Sequence, residues 1–479
     1  MRTPLVRRAA AFVAVGALAL GGVAAAEPPT PTVGAAGIGD PYFAEAGNGG
    51  YDVTSYRISH TMRLKTGRLR GQTQIRARAE QALRSFNLDF LLPVTSVTVN
   101  GVKARFSRPS KHELRVTPST VLAAGASFRV VVGYRGKPGE YRWRGERAWL
   151  ADKHEVVAMG EPQIAAWWFP SNDHPRDKAT FDISIRVPRG QQAIANGRLV
   201  SKKKTRHWTT WRWRAKEEMA PYLAFFAAGH FELERGRTSD GTPWVNAVSE
   251  QLRPASRRGA LKFLRRTPSV IAWLERRLGP YPFADAGGVV TSLNTGFALE
   301  NQTRPTYPEL YDWRHGGGLL AHELAHQWFG DLVAVQNWRD IWLNEGFAGY
   351  FGDLYDAGRS LSAESSAVML SQRWQWLGTD PSFWAVDIAN PGPKQLFNQQ
   401  VYVRGALAVA ALRQRIGDHD FWRLLRSWLT GRSHGSVAEF EALAAEISGQ
   451  DLDSFFDAWL RADRRPAKTV ENGLVAPPT

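Results

Sequence analysis

The chain has 479 residues, 43% of them hydrophobic and 22% charged, which is the composition of a globular protein of two or three domains rather than of a disordered or fibrous one. The absence of cysteine excludes disulfides, thiolate metal ligands, a cysteine nucleophile and a lipid-modified cysteine. The net charge of +16 comes from Lys and Arg that are dispersed along the chain, so it indicates a solvated basic surface, and no basic helix or aromatic stacking motif predicts a nucleic-acid partner.

The N-terminus has the pattern of an export signal. Residues 1–8 are basic, residues 9–23 are rich in Ala, Val and Leu, and Ala24-Ala25-Ala26 offers a small-residue cleavage site. We therefore predict a signal peptide over residues 1–26, a secreted or extracytoplasmic location and no stable membrane span after cleavage. An uncleaved anchor is the alternative, and the sequence leaves the Sec and twin-arginine routes open. The next residues, 27–50, are rich in Pro and Gly and predict an extended leader.

Strand signals dominate residues 51–236, for which we predict an all-β domain. The segment "VTSVTVNGVKARF" alternates around Asn100-Gly101, which is a strong signal for a two-residue hairpin turn. "FDISIRVP" and "TTWRWRA" alternate in the same way. Trp211 and Trp213 stand two residues apart, which favours the buried face of a sheet over a stacking platform for bases or sugars.

Helical spacing replaces this alternation after about Arg237, and we predict a mostly α-helical domain over residues 237–465 and a tail over residues 466–479. A helical pattern ends at Gly279, with Pro268 either kinking this helix or starting a second one. Residues 287–301 predict a strand and a turn at a sheet edge. Further helices are expected over residues 344–355, 360–376, 402–416, 418–430 and 436–460.

The segment "GLLAHELAHQWFGD" places two histidines four residues apart on a predicted helix. His322 and His326 then project from the same face, where both can bind one metal ion, and Glu323 lies beside them as a candidate base. The alternative is a helix with two ordinary buried histidines. Glu345, in the apolar segment "WLNEGFAGYF", is a candidate third ligand, because a buried carboxylate requires a partner.

These two segments resemble the signature of the zinc aminopeptidases related to aminopeptidase N and leukotriene-A hydrolase. In "HELAH" and "WLNEGFA", eighteen residues separate His326 from Glu345, as in that family. The resemblance implies one Zn²⁺ per chain held by His322, His326 and Glu345, with Glu323 as the general base. It also implies an N-terminal all-β, saddle-like domain followed by a mostly α, thermolysin-like catalytic domain.

Further segments extend the resemblance over most of the mature chain. "FALEN" resembles the family's G-x-M-E-N motif, with Phe297 in place of Gly, and this substitution bears on how Phe297 and Ala298 approach a substrate. The resemblance implies that Glu300 binds the α-amino group of the substrate, as a carboxylate paired with an ammonium. A salt-bridged residue at a sheet edge is the alternative for Glu300.

Two other candidates come from the same resemblance. In "VYVRGALAVAAL", Tyr402 matches the tyrosine that donates a hydrogen bond to the developing oxyanion, and Arg404 replaces the common lysine. Glu161 lies eight residues before Phe169 in a segment similar to the family's F-P-x-x-D-x-P stretch, which implies that it contacts the substrate amine from the first domain.

The function expected from these residues is zinc-dependent hydrolysis of the N-terminal peptide bond of peptides that have a free N-terminus. A metallo-endopeptidase of the same class and an inactive secreted binding protein are the alternatives. The chain ends soon after residue 465, so we expect a short form without the long helical-repeat domain of larger relatives, and a more open site. The side-chain preference, the physiological substrate and the oligomeric state are left open by the sequence.

Overall fold

An eight-stranded mixed sheet forms the centre of the first domain. The computed structural model describes residues 30–146 and 148–475, so the predicted signal peptide lies outside the described residues. Alternation buries every second side chain over most of the strand Tyr51–Arg63, as expected for a sheet with one face on a core. In spatial order the strands are Arg198–Lys204, Trp208–Met219, Ala179–Pro188, Tyr51–Arg63, Arg68–Ala79, Ser127–Gly136, Val94–Val99 and Val102–Lys103.

The predicted hairpin turn and the predicted buried tryptophans are both confirmed. Asn100 and Gly101 have φ values of 52° and 87° and connect two antiparallel strands, as a type I′ turn requires. Trp211 and Trp213 are buried, and their indole nitrogens donate to the carbonyl oxygens of Gln191 and Ala193. Both rings therefore serve the core and are not free to stack on a ligand.

Two smaller sheets complete the β-rich first domain. The first has the strands Thr32–Val33, Leu83–Asp89, Glu113–Thr117 and Arg105–Ser107 in spatial order. The second has the strands Trp149–Ala151, Val156–Ala158, Phe226–Gly229 and Gln192–Ala195. The prediction of a strand-rich domain followed by a helical one is confirmed.

Ten α-helices, labelled α1 to α10, occur in the described part of the chain. They are Pro254–Leu264, Thr267–Leu278, Gly317–Ala325, Trp342–Asp356, Ala363–Leu377, Pro381–Trp384, Gln399–Ile416, Asp418–Trp428, Val437–Ser448 and Asp453–Phe456. Pro268 starts a second helix, α2, instead of kinking one long helix. The stretch predicted as helical over 436–460 is interrupted, because Gly449 ends α9 in a left-handed conformation with φ 64°. A π-helical turn, Asp457–Arg461, follows α10.

A four-stranded sheet accompanies these helices. Its strands are Phe231–Arg237, Pro243–Ser249, Ala286–Val290 and Thr306–Tyr307 in spatial order, and a separate two-stranded ladder joins Ala334–Val335 to His434–Gly435. The boundary expected between residues 236 and 237 falls inside the first of these strands, whose pairing assigns residues 231–237 to the second sheet-and-helix unit. Ala286–Val290 is an inner strand, so the expected sheet edge is formed instead by residues 306–307 and by the bridge between Leu299 and Thr306.

Residues 31–50 do not form a separate leader, since they pack against both parts of the protein. The carboxylate of Asp40 accepts hydrogen bonds from His174 at 3.1 Å and from the backbone N–H of Trp338 at 2.9 Å. Tyr42 donates to Asn390 at 2.6 Å. The pKa of Asp40 is lowered to about 2, because these donors outweigh the effect of burial. His174 is thereby accounted for as a structural residue.

Lys178 connects the central sheet to the segment that follows α3. Its ammonium donates to the carbonyl oxygens of Asp331 and Leu332 at 2.8 Å and 2.9 Å, and burial lowers its pKa to about 8. Arg304 has a similar position, buried against Trp213, with its guanidinium bonded to backbone carbonyls that include those of Val245 and Gly197. These two cations join the strands to the loops around α3.

The C-terminal residues 466–475 fold back onto α7. The indole nitrogen of Trp459 donates to the carbonyl oxygen of Asn472 at 2.9 Å, and Gly473 lies so close to Ala411 that an added Cβ would be 2.1 Å from its carbonyl oxygen. Among the described residues, no helix is both long enough and apolar enough to cross a bilayer.

Replacing Lys178 with Met tests the connection between the sheet and the α3 segment. We expect the free energy of unfolding to fall by about 3 kcal/mol, because two buried carbonyl oxygens lose their donor. Urea denaturation followed by tryptophan fluorescence measures this change. The exposed Lys103→Met is the control and should change stability by less than about 0.5 kcal/mol. Equal effects of the two substitutions would show that the buried ammonium has no special role.

Candidate metal centre

The packing of α3 against α4 brings together His322, His326 and Glu345. The two imidazole Nε2 atoms are 3.1 Å apart. Glu345 Oε2 lies 3.3 Å from His322 Nε2 and 3.4 Å from His326 Nε2. The sequence predicted these three residues as one ligand group, and the structure places their donor atoms around one point.

This group has the geometry that a tetrahedral zinc ion requires. Ligand atoms at about 2.0 to 2.1 Å from zinc lie about 3.3 Å from one another, which matches the three separations. Glu345 Oε2 is buried and has no hydrogen-bond partner among the described residues, although it is surrounded by polar atoms. The buried carboxylate and the facing imidazole lone pairs therefore fit a divalent cation.

The second ring nitrogen of His326 fixes the tautomer that such a site needs. Nδ1 lies 3.0 Å from the carbonyl oxygen of Phe329, to which it donates, so Nε2 keeps its lone pair for the metal position. His326 follows the last residue of α3 and retains helical backbone angles, which allows the chain to turn and present Phe329. The ring of Phe329 stacks on Phe347 of α4 at 4.4 Å, so this turn is held by the core.

Small residues allow α3 and α4 to approach closely. A Cβ at Gly352 would lie 3.0 Å from the carbonyl oxygen of Gly318 and 3.3 Å from the Cβ of His322. Gly318, at the start of α3, packs against the end of α4, whereas Glu345, near the start of α4, lies beside His326 at the end of α3. The two helices therefore run antiparallel. The close approach is what puts the carboxylate of one helix against the imidazoles of the other.

Glu323 and Glu300 lie next to this group on its other side. Both are buried, and one donor atom each from Glu300, Glu323 and His326 lies within 4.8 Å of the others. Tyr222 donates to Glu300 Oε1 at 3.2 Å. Glu300 is not paired with Lys or Arg among the described residues, so the alternative of a salt-bridged edge residue is not observed.

Gln327 positions Glu300 relative to His326, a role that sequence reasoning missed. Its amide nitrogen donates to the carbonyl oxygen of Glu300 at 2.9 Å and to Asp331 at 2.8 Å. Its amide oxygen accepts from Tyr281 and from the backbone N–H of Thr303. The signal in the sequence was a polar residue inside an otherwise apolar run, directly after the second histidine.

Glu161 reaches the same cavity from the first domain. It lines the cavity with Glu300 and Glu323, and its Oε1 is buried without a hydrogen-bond partner among the described residues. Tyr402, on α7, stacks against His322 with ring centroids 5.9 Å apart. The structure thus brings all the predicted catalytic and amine-binding candidates to one place.

Arg404 and two glycines hold Tyr402 in position. A Cβ at Gly405 would lie 2.9 Å from the Cα of Gly346, and one at Gly349 would lie 3.2 Å from the carbonyl oxygen of Tyr402, so α7 packs directly on α4. Arg404 is fully buried, and its guanidinium donates five hydrogen bonds, to the backbone carbonyl oxygens of Trp384, Val386, Ala458, Trp459 and Ala462.

The cavity above the metal group has a volume of about 710 Å³ and is lined by residues of α3, α4 and α7. Phe297 and Ala298 line it near Glu300, and Phe297 is 46% exposed at its wall. The other end is lined by residues near the start of α3 and the end of α4, including Asp353 and Asp356. Phe297 and Ala298 therefore belong to the part of the cavity wall that carries Glu300.

The cavity carries more negative charge than its histidines neutralise. Burial and the neighbouring carboxylates raise the pKa of Glu161, and burial, with Glu300 and Glu345, raises that of Glu323. Burial opposes a charged His326, but the surrounding carboxylates hold its pKa well above the ordinary value. The pKa of Glu345 is lowered to about 2 by the two imidazoles despite its burial. Such a site favours bound cations.

Models of one protein family match both parts of this chain. The Peptidase M1 N-terminal domain matches residues 53–223, and the Peptidase family M1 domain matches residues 298–459. The two matches together cover more than half of the sequence and contain all the candidate site residues except Phe297, which immediately precedes the second. The chain belongs to peptidase family M1.

Individual proteins are similar over most of this chain. Aminopeptidase N of Lactococcus lactis subsp. cremoris (strain MG1363) is 26% identical over 454 residues, covering 87% of this chain and 51% of that protein. Leucyl aminopeptidase of Saccharolobus solfataricus is 24% identical over 447 residues, and the matched region covers 87% of this chain and 54% of that protein. The chain thus spans about half the length of these curated relatives.

Solved structures share the fold over both domains. The M1 zinc metallopeptidase of Deinococcus radiodurans superposes with a TM-score of 0.80 at 24% identity, covering 90% of this chain and 98% of that one. A mutant of the same protein bound to a Tyr-Ser-Ala substrate has a TM-score of 0.78 and covers 92% of this chain and 99% of its own. The strand-rich domain and the helical domain described above are therefore both present in these neighbours.

Matched substitutions of Glu345 and Glu300 distinguish two possible metal groups, since Glu300, Glu323 and His326 also lie close together. We expect Glu345→Gln to lower zinc content by about one ion per chain, because it removes a charged ligand. Glu300→Gln should retain zinc, because it leaves His322, His326 and the carboxylate of Glu345 unchanged. Inductively coupled plasma mass spectrometry after desalting measures both. Zinc loss in Glu300→Gln alone would assign the metal to the other group.

Proposed function

We propose that the chain is a zinc-dependent aminopeptidase that hydrolyses the N-terminal peptide bond of peptides with a free α-amino group. The observation that carries this proposal is the combination of two cation-binding features in one cavity. The His322, His326 and Glu345 group fits zinc, and the carboxylates of Glu300 and Glu161 end the cavity beside it. A peptide ammonium and a metal ion would together offset the surplus negative charge.

His322, His326 and Glu345 would hold one zinc ion. When bound, zinc supplies Lewis acidity, which polarises a carbonyl and lowers the pKa of a coordinated water molecule. The stacking of Tyr402 on His322 and the bond from His326 to Phe329 hold the ligand side chains in place before any ion is present.

Glu323 is the proposed general base. Its carboxylate is buried in the cavity floor beside His322 and His326 and has no Lys or Arg partner in the described chain. From this position it can take a proton from the attacking water and then pass it to the leaving amine nitrogen. Two sequential transfers by one carboxylate require that it retain access to both sides of the scissile bond, which its place in the cavity lining provides.

Tyr402 is the proposed donor to the oxyanion. Tyr402 lines the cavity, and burial raises the pKa of its hydroxyl well above the ordinary value, with Glu345 and Glu161 adding to the shift. The phenol therefore keeps its proton and can donate a hydrogen bond to the carbonyl oxygen as negative charge develops there. The tight packing of α7 on α4 fixes this donor, so little reorganisation is needed during the reaction.

The direction of the peptide follows from the ends of the cavity. With the ammonium at Glu300 and Glu161, the first peptide bond lies over the metal group, and the rest of the chain leaves along α3 toward Asp353 and Asp356. A substrate entering the other way would place its ammonium beyond the metal group and leave the two glutamates without a partner. The cavity therefore favours removal of single residues from the N-terminus.

The relatives support this activity, since those at 26% and 24% identity are named aminopeptidase N and leucyl aminopeptidase. A Tyr-Ser-Ala substrate is bound by a mutant of the Deinococcus radiodurans neighbour. An inactive binding protein is a weaker candidate because the base, the oxyanion donor and all three ligands are present together. We also propose that residues 1–26 direct export, which rests on their basic and apolar pattern alone.

Glu323→Gln tests the assigned base. We expect kcat on an aminoacyl-arylamide to fall by at least about 10³-fold, because the amide cannot accept the proton of the attacking water. Zinc content should be unchanged, since Glu323 is not one of the proposed ligands. Glu364→Gln, an exposed substitution on α5, is the control and should keep full turnover. Wild-type rates in Glu323→Gln would reject the assignment.

Glu300→Ala tests recognition of the N-terminal ammonium. The unaltered protein should cleave a free-amine peptide at least about 10²-fold faster than its N-acetylated form. Acetylation removes the ammonium charge, so the buried carboxylate of Glu300 has no charged partner in the acetylated peptide. In Glu300→Ala the KM for the free-amine peptide should rise and this ratio should shrink. Glu300→Asp should restore part of the discrimination.

Rapid cleavage of the N-acetylated peptide by the unaltered protein would favour the endopeptidase alternative. Competition between the two peptides in a single reaction, followed by mass spectrometry, gives the ratio of kcat/KM directly and is independent of the amount of active protein.

A further inference from the structure

A second group of metal-ligating side chains lies in the first domain, away from the cavity. Asp89, His112 and Glu113 each offer one donor atom, and these atoms all lie within 4.8 Å of one another. His112 Nδ1 is 3.3 Å from Asp89 Oδ1 and 3.7 Å from Glu113 Oε1. We refer to these three residues as the β-domain cluster.

Strand pairing creates this cluster. Asp89 ends the strand Leu83–Asp89, Glu113 begins the strand Glu113–Thr117, and the two residues are directly opposite each other in the antiparallel ladder. Two carboxylates in this arrangement repel each other, and burial makes the repulsion stronger. A cation bound between the two acids would remove this repulsion.

The side chains of the cluster are buried and lack hydrogen-bond partners. Asp89 is 0%, His112 1% and Glu113 2% exposed. In the described part of the chain, neither ring nitrogen of His112, neither carboxylate oxygen of Glu113, nor Oδ1 of Asp89 has a hydrogen-bond partner. Buried polar atoms are almost always paired, so a cluster of three residues that carries five such atoms indicates a missing ligand.

The surrounding contacts hold these atoms in place. Asp89 Oδ2 accepts from Asn48 at 3.1 Å and from the backbone N–H of Asp173 at 2.6 Å, which leaves Oδ1 directed at His112. The ring of Trp143 stacks on His112 at 4.5 Å with an interplanar angle of 12°. Oδ2 of Asp89 is therefore hydrogen-bonded and one face of the His112 ring is covered, whereas Asp89 Oδ1 and His112 Nδ1 face each other.

The nearby cations are engaged elsewhere. Arg108 donates to the carbonyl oxygens of Phe90 and Leu92, and Arg115 donates to Asn87 at 3.1 Å. Asp173 adds a third buried carboxylate next to Asp89, and burial raises its pKa to about 7. One imidazole cannot balance this many acids.

We propose that the β-domain cluster binds a divalent transition-metal cation, of which Zn²⁺ is the probe, through Asp89, His112 and Glu113. One imidazole nitrogen with two carboxylates suits zinc or manganese, whereas calcium requires six to eight oxygen ligands. The ion would tie together two strands and, through Asp173, the segment that leads to Lys178. Its role is structural, and it is independent of the proposed peptidase activity.

Metal counting on the full chain tests this proposal. After chelation, reloading with Zn²⁺ and desalting, we expect about two zinc ions per chain, one in each group. The double variant H322Q/H326Q should keep about one ion per chain, and adding His112→Gln to it should remove that ion. His174→Gln, which alters another buried histidine that contacts a carboxylate, is the control and should keep both ions.

The melting temperature gives a second readout, which does not require the His112→Gln variant to fold. In H322Q/H326Q, Zn²⁺ at saturating concentration should raise the melting temperature by at least about 3 °C, because only the native state presents the site. No retained zinc and no shift of the melting temperature in H322Q/H326Q would overturn the proposal. Peptide hydrolysis is not part of either measurement, so failure here leaves the proposed function unaffected.

Discussion

The contact between α3 and α4 is the constraint on which the candidate site depends. His322 and His326 are local in sequence, but they become a metal group only because Glu345 of the neighbouring helix comes within 3.4 Å of both. Gly318 and Gly352 permit that approach, since a side chain at either position would meet the backbone of the other helix. The fold around the site, including the loops held by Lys178 and Arg304, serves to keep this pair of helices and the 300–303 segment in register.

Charge explains why the remaining residues are arranged as they are. Four glutamates line the cavity together with three histidines and Arg373, and none of the four is paired with Lys or Arg in the described chain, so negative charge is left in a poorly solvated space. One cation at the imidazoles and one at Glu300 and Glu161 would offset it, and the separation of these two places determines which bond of a peptide lies over the ligands. The same reasoning applies to the β-domain cluster, where acids are buried opposite each other without a balancing Lys or Arg in the described chain. In both places the unpaired atoms indicate what the protein binds.

Most of the fold and of the candidate site could be predicted from local patterns. Alternation identified the strands, helical spacing identified α3, α4 and α7, and the family resemblance gave roles to Glu161, Glu300 and Tyr402, which the structure brings to one cavity. Contacts between distant parts of the chain could not be predicted in this way. Asp40 accepts a hydrogen bond from Trp338, which is 298 residues away in the sequence. Local composition does not reveal such a contact, so the Pro- and Gly-rich stretch around Asp40 predicts a leader instead. The role of Gln327 depends on four partners from three segments, and no spacing rule identifies such a residue.

The five hydrogen bonds of Arg404 have a consequence for the order in which the protein is made. Arg404 lies two positions after Tyr402, and three of its acceptors, Ala458, Trp459 and Ala462, lie more than fifty residues further along the chain. The three proposed ligands and Glu323 are therefore all translated more than a hundred residues before the oxyanion donor acquires its support. Tyr402 is therefore fixed later than the proposed ligands and Glu323, once residues 458–462 have been synthesised.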